Sequence, residues 1–341
     1  MKHIFFVSSN LTFFIANKII QSDGLQKEQC CLFLVRNYQV PFEYSNEYPH
    51  QISTNYNVDP RTGRIFEGIK FWKTYKNICY FDHLIDEFIQ NDSFIWYSSV
   101  CSNDICSLMV SRKECEGYYI IEDGLASYRN FNPQTFVGWR YWMYKCVLKP
   151  LYPRIFCVKN HFITTNHPKF RGCIATSHRC FPLHQAYLRV IGNPFDKAVA
   201  NQLPDAVISI DPWYSSLDIS VIDGVYKAIA GYIAKKNYKN LACKFHPRFE
   251  APQNFTIKKE YTSILKRYFP TIKILSKDII LEQILVSPNQ DFYCGVSSVP
   301  LYVSLSGVKC YTYMPLVKGT QVWEDVQDVL RDTMIDITSL S

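Results

Sequence analysis

At 341 residues the chain is too long for one ordinary hydrophobic core, so two domains are expected. Hydrophobic residues make up 48% and aromatic residues 16%, with no repeat and no low-complexity stretch, which excludes disordered, fibrous and solenoid classes. The formal charge of +7 favours anionic partners but does not choose among nucleotide phosphates, acidic sugars, anionic glycolipid and nucleic acid.

The 13 cysteines are odd in number, include no C-x-x-C, and mostly sit in apolar strand-like runs. They read as small buried hydrophobes in a reducing cytoplasm. The apolar run in MKHIFFVSSN is too short for a signal peptide, and no run approaches the ~18 apolar residues that span a bilayer. The expectation is a cytoplasmic protein, soluble or peripheral on the inner face of the membrane.

In chain order, His3 to Ser8 reads as a buried strand, Asn10 to Ile20 as a helix and Cys30 to Val35 as a second strand. This β-α-β opening is that of a doubly wound sheet. Ser9 and Asn10, in the loop after the first strand, are candidates for contact with an acceptor; an ordinary helix cap is the alternative. Residues 37–75 show no clear period. Asn77 to Gln90 reads as a helix, Ser93 to Val100 as a strand followed by a turn at Asn103-Asp104, and Gly117 to Ile121 as a strand that empties into Glu122-Asp123-Gly124. Gly124 permits a bend that a Cβ would oppose. On its own this triplet also fits a plain helix start capped by Asp123.

Residues 128–157 are dense in aromatics and cations, among them Trp139, Arg140, Trp142 and Lys145. Such a mixture suits an anionic membrane surface, a single-stranded nucleic acid or an interior interface. His167-Pro168 follows a polar run, not a buried strand. Ala186 to Gly192 closes the first half, and Asn193 to Pro204 contains the linker. Ala206 to Ile210 is the next strand, and its loop, Asp211 to Ser216, leads into a helix from Ile219 to Lys235. Ser215 therefore lies near a helix amino terminus, as an anion contact or a simple cap.

The strand that begins at Leu241 stops at Lys244-Phe245-His246-Pro247-Arg248. Pro247 cannot extend a ladder and keeps His246 out of helical geometry. An imidazole between two cations at the carboxyl end of a strand suits a phosphate; a His that merely faces water is the plain alternative. Helix at Tyr261 to Tyr268, strand at Thr271 to Leu275 and helix at Ile279 to Leu285 follow. Asp291 to Cys294 then delivers Gly295 and the pair Ser297-Ser298. A strand at Val308 to Met314 and an acidic helix near Trp323 to Arg331 end the pattern.

Acidic-acidic-Gly at Glu122, Asp123 and Gly124, His-Pro at His246 and Pro247, and Ser-Ser at Ser297 and Ser298, in this order, resemble the bacterial sialyltransferases that use CMP-sialic acid. Polysialyltransferases and lipooligosaccharide sialyltransferases share these motifs. The resemblance covers the motifs directly and the rest of the chain by layout. It implies an α/β GT-B fold: two Rossmann-like doubly wound domains facing each other across a cleft, 1–198 for the acceptor and 199–341 for the CMP-sugar, with a last helix able to pack back on the first.

It further implies an inverting transfer of sialic acid to a sugar hydroxyl of a lipopolysaccharide, lipooligosaccharide or capsule acceptor, galactose-type or lipid-linked. Glu122 would be the general base, with Asp123 bracing the turn or capping the following helix. His246 would assist phosphate departure. Lys244, Pro247, Ser297, Ser298, Gly295 and Ser215 fall on the donor side, with backbone amides after Gly295 completing a phosphate cradle and a side chain on the sheet's other face as the alternative for Lys244; Ser9, Asn10 and Gly124 fall on the acceptor side. No cofactor and no metal is expected: the chain has no D-x-D triplet, its eight histidines show no zinc spacing, and a CMP-sugar carries one phosphate. The alternatives are a GT-B transferase using a UDP- or GDP-sugar, and a basic nucleic-acid-binding protein, against which no nucleic-acid motif is present. The residues do not specify the acceptor sugar, the linkage, single transfer against polymerisation, the nucleotide-base contacts, the oligomeric state, or which acid of the pair is the base.

Overall fold

The computed structural model describes residues 1–35, 38–53, 68–99, 104–128, 167–195, 203–211, 217–326 and 335–336. The chain divides into two units, Met1–Pro194 and Phe195–Ser341. The division falls slightly before the expected boundary between 198 and 199.

Unit 1 is built on a seven-stranded sheet in the order β3-β2-β1-β4-β5-β6-β7. Its strands are β1 (Lys2–Val7), β2 (Cys30–Leu34), β3 (His50–Ser53), β4 (Phe94–Ser98), β5 (Cys115–Ile121), β6 (Phe170–Ala175) and β7 (Leu188–Val190), and every pairing is parallel. Helix α1 (Asn10–Ser22) starts on a capping box, in which Ser9 and Thr12 satisfy each other's backbone and side chain. Helices α2 (Gly68–Ile89) and α3 (Asp104–Ser111) bury Phe81, Ile85, Met109 and Val110 against Ile4, Phe6, Phe33, Trp96 and Ile120 of the sheet. Alternate side chains face the other way. Phe5, Tyr97 and Tyr119 stack across β1, β4 and β5, with centroids 4.3 and 5.4 Å apart.

Three features were not legible as expected. Asp104, expected in a turn, opens α3, α2 begins well before Asn77, and β3 and β6 are additional strands; Asn103 lies outside the described residues. Strand β6 is masked in sequence by Gly172, which is needed where the backbone comes closest to its neighbour. Its φ is +142°, and a Cβ there would lie 2.7 Å from the carbonyl oxygen of Tyr187.

Unit 2 carries a six-stranded sheet in the order β10-β9-β8-β11-β12-β13. The strands are β8 (Ala206–Ile210), β9 (Leu241–Phe245), β10 (Lys273–Ile274), β11 (Asp291–Cys294), β12 (Lys309–Thr312) and β13 (Ile335–Asp336), again all parallel. Helices α4 (Ile219–Ile233) and α5 (Phe255–Tyr268) cover the face of Ile208, Ile210, Cys243 and Phe245. The short helices α6 (Leu281–Ile284) and α7 (Val299–Val303) cover the face of Val207, Ala242, Phe292 and Cys294; α8 (Gln321–Val326) follows β12.

Both sheets are doubly wound, as expected. In each, the strand order reverses beside the unit's first strand, between β1 and β4 and between β8 and β11. Ligands of open α/β sheets bind at the carboxyl edge near such a reversal. Nine of the described cysteines are buried and none is in a disulfide. Burial pushes the Cys115 thiol up to about 11 and those of Cys31 and Cys106 up to about 12.

Gly172→Ala tests the close approach of β6. It should lower stability by about 1–3 kcal/mol, the usual cost of a strained backbone position, read as a reduced urea midpoint. An unchanged midpoint would mean that the neighbouring chain yields without cost.

Candidate functional site

At the carboxyl edge of unit 1, β5 and β6 run side by side, and the acidic pair follows β5 directly. Glu122 is fully buried. Its Oε1 accepts from the Tyr128 hydroxyl at 3.0 Å, and its Oε2 accepts from the Thr176 amide and hydroxyl, both at 2.7 Å. The Glu122 amide donates to the Ile174 carbonyl at 3.1 Å. Three donors on one enclosed carboxylate tie the end of β5 to the end of β6. That is an anchoring geometry.

Asp123 is only half-buried, and its amide donates to the Ser127 hydroxyl at 2.8 Å. Gly124 holds φ at +59° and leads into a 3-10 turn over Gly124–Tyr128, where an α-helix from Leu125 was the alternative. The acidic pair is thus split: the first carboxylate is enclosed and anchored, and the second stands at the half-buried surface. Thr176 was missed because β6 itself was missed; the apolar run ahead of it was the available signal.

Ser9 and Asn10 lie at the same edge, after β1. Ser9 is the cap of α1, and the Asn10 side-chain oxygen accepts from the Tyr38 hydroxyl at 2.8 Å.

In unit 2 the exits of β9, β8 and β11 are adjacent. His246 adopts the extended φ of −59° and ψ of 143° that its following proline demands, and Pro247 opens a 3-10 turn. The His246 amide donates to the Ile210 carbonyl at 2.9 Å, and its Nδ1 accepts from the Arg248 amide at 3.2 Å. With Nδ1 an acceptor, the ring proton resides on Nε2, which is left as a donor. Burial, then the charges of Arg248 and Lys244, push the imidazole down to about 4, so it is neutral near pH 7.

Lys244 does not join it. Strand alternation turns the side chain toward α6, where Nζ donates to the Ser276 carbonyl at 2.5 Å. Burial pushes this ammonium down to about 8. Of the two orientations open to this lysine, it takes the one that commits it to a neighbouring loop.

The cradle after Gly295 is also arranged differently from the expectation. The Gly295 and Val296 amides both donate to Oδ2 of Asp211, at 2.9 and 3.1 Å. The Thr312 hydroxyl donates to the Gly295 carbonyl at 3.1 Å. Ser297 and Ser298, both half-buried, follow this held segment, and the Ser297 hydroxyl accepts from the Val299 amide at 3.2 Å. His246 and the serine pair thus sit at exits on either side of β8, at the point where the strand order reverses. That arrangement can take an anion between an Nε2 donor and a serine-lined turn.

The second His-Pro makes the same local turn: His167 Nδ1 accepts from the Lys169 amide at 3.2 Å. It precedes β6, however, and so occupies the opposite edge of its sheet. Ser215 and nearly all of 128–157 lie outside the described residues. Among the described residues no helix is long and apolar enough to cross a membrane.

A family model described as alpha-2,8-polysialyltransferase matches residues 50–304, a range that contains Glu122, Asp123, His246, Ser297 and Ser298. No curated protein matches the chain in sequence. Among solved structures, a sialyltransferase of Photobacterium damsela is 10% identical with a TM-score of 0.51, over 98% of this chain and 80% of its own. A UDP-GlcNAc 2-epimerase of Neisseria meningitidis bound to UDP-GlcNAc is 10% identical with a TM-score of 0.51, over 92% of this chain and 82% of its own. S. aureus MnaA with UDP is 10% identical with a TM-score of 0.50, over 97% and 88%. These likenesses show the fold, two Rossmann-like units of the GT-B class.

The low value of His246 carries a sign that can be measured. The unfolded chain, at the ordinary 6.5, takes this proton before the folded protein does, at about 4. The contribution of His246 to stability is therefore complete above pH 6.5 and is lost as the pH falls toward 4. His246→Gln should flatten the dependence of the urea midpoint on pH across that window. An equally steep dependence in the variant would assign the acid sensitivity to other groups.

Proposed function

We propose that this chain, which belongs to the alpha-2,8-polysialyltransferase family, transfers sialic acid from CMP-sialic acid to a sugar hydroxyl of a glycan acceptor. Unit 2 holds the CMP phosphate and unit 1 contributes the base. The observation that carries the reading is the placement of His246, Ser297 and Ser298 after strands β9 and β11 at one edge of the unit 2 sheet, within the matched range.

In the transfer, the acceptor oxygen bonds to the anomeric carbon of sialic acid while the bond from that carbon to the phosphate oxygen of CMP breaks. The configuration inverts. The acceptor's proton goes to a carboxylate, and the electron pair of the broken bond leaves on the phosphate. The neutral imidazole of His246 donates Nε2–H to a phosphate oxygen; the growing negative charge raises its affinity for a proton, so it serves the departure without being charged beforehand. Ser297 and Ser298 offer hydroxyls to the same anion, as do the backbone groups of their turn that Asp211 does not take.

For the base, the geometry favours Asp123 over Glu122. A general base must reach an acceptor hydroxyl. Glu122 is fully buried and receives three donors, whereas Asp123 is half-exposed on the same turn. Glu122 therefore anchors the turn and Asp123 does the proton transfer. The acceptor is a bacterial surface glycan, and the aromatic and cationic sequence of 128–157 is the proposed contact with anionic membrane lipid. A donor with a single phosphate has little need of a divalent cation, so transfer proceeds without metal.

Three measurements bear on this reading. His246→Ala should lower turnover by about two orders of magnitude or more while the fold persists; near-normal turnover removes the phosphate role. Asp123→Asn should abolish transfer with CMP affinity intact. Glu122→Gln should retain residual transfer in a protein destabilised by about 1–3 kcal/mol, because one donor then meets an amide nitrogen. A folded but dead Glu122→Gln beside an active Asp123→Asn returns the base to the first carboxylate. Finally, excess EDTA should leave transfer intact, and abolition with rescue by Mg²⁺ would favour a diphosphate-sugar donor.

A further inference from the structure

Asp211 is buried, with 3% of its surface exposed, at the exit of the strand lying between His246 and the serine pair. Two consecutive residues there tie down both neighbours. The Ile210 carbonyl receives the His246 amide at 2.9 Å, and the Asp211 carboxylate receives the Gly295 and Val296 amides at 2.9 and 3.1 Å. The same segment is held from its other side by the Thr312 hydroxyl on the Gly295 carbonyl. The other carboxylate oxygen, Oδ1, accepts from the Ser209 hydroxyl at 3.4 Å. No part of the proposed transfer uses Asp211 directly, and the three sequence motifs do not include it.

We infer that Asp211 is a positioning residue of the donor site: by accepting two successive main-chain amides, it fixes where the Ser297-Ser298 turn stands relative to His246. This inference rests on the reading of unit 2 as the nucleotide-sugar unit.

Its charge state adds a measurable signature. Burial pushes the carboxyl up to about 7, against the opposing pull of its amide and hydroxyl donors. The groups packed around it are Ser209 of β8, Cys294 of β11, Tyr313 after β12 and Tyr226 of α4. On β9, Lys244 lies across the register from Ser209 with its Nζ on the Ser276 carbonyl, and His246 is neutral. Ionisation of Asp211 as the pH rises therefore places a negative charge beside the turn that takes an anionic donor.

The experiment is CMP binding by calorimetry, from about pH 6.5 to about 8.5, on the wild type, Asp211→Asn and Asp211→Ala, with thermal melting in parallel. The asparagine oxygen can accept both amides but carries no charge. Asp211→Asn should bind CMP within about twofold of wild type at the lower pH and lack the wild-type loss of affinity at the higher one. Titration of the nucleotide's own phosphate is common to both proteins and cancels in the comparison. Folded Asp211→Ala should bind CMP roughly tenfold more weakly or worse, since the segment loses its anchor.

Parallel pH profiles for wild type and Asp211→Asn overturn the inference, as does wild-type affinity in a folded Asp211→Ala. If Asp211→Ala does not fold, the Asp211→Asn profile decides alone. If the wild type binds UDP or GDP in place of CMP, the cytidine reading fails and Asp211 is judged with the nucleotide that binds. If none of the three binds, both fall.

Discussion

Parallel pairing is the constraint from which the candidate site follows. In a parallel sheet every strand leaves at the same edge, and each return crosses the face through a helix or loop. Any side chain that follows a strand thus lies in one row with those that follow its neighbours. Glu122 and Thr176 meet because β5 and β6 are adjacent in that row. His246, Asp211 and Gly295 meet because β9, β8 and β11 are. Residues far apart in sequence become neighbours without any contact that the intervening chain needs to specify.

The row alone does not fix side chains to the tolerance that chemistry requires. Each unit adds an enclosed carboxylate. Burying a polar group is costly unless it is matched by good partners, and the Glu122 and Asp211 carboxyl groups are both matched by main-chain amides of the neighbouring exit. The same requirement works in reverse: an amide so engaged cannot drift without leaving a buried polar group unpaired. The two carboxyl groups therefore hold loops, and Asp123 and His246 beside them are less enclosed.

The doubly wound architecture was legible because its signals are local: apolar runs of strand length, alternating with helical periods, over much of both units. The motifs were legible as types and as strand ends. What could not be read was direction. Where the Lys244 ammonium is held depends on the Ser276 carbonyl, which no local pattern announces, and which acid of the pair is enclosed depends on Thr176, contributed by a strand that a glycine hid. The two His-Pro turns, by contrast, were separable, because only one of them follows an apolar run. His167 and His246 make the same hydrogen bond two residues ahead. Only their position before or after a strand separates an edge with the serine turn from an edge without one. Asp211 carried no motif, because its partners are backbone amides, which any residue supplies.

The cysteines buried in both sheets have a further consequence. A thiol reacts with alkylating reagents as its thiolate, and enclosure here suppresses ionisation as well as access. Modification of Cys31 or Cys173 then requires unit 1 to open, and modification of Cys243 or Cys294 requires unit 2 to open. Followed peptide by peptide, their labelling forms a pair of internal clocks. Saturating nucleotide should slow the clock of the unit that binds it, so the native chain, without substitution or added probe, can report which half the donor occupies.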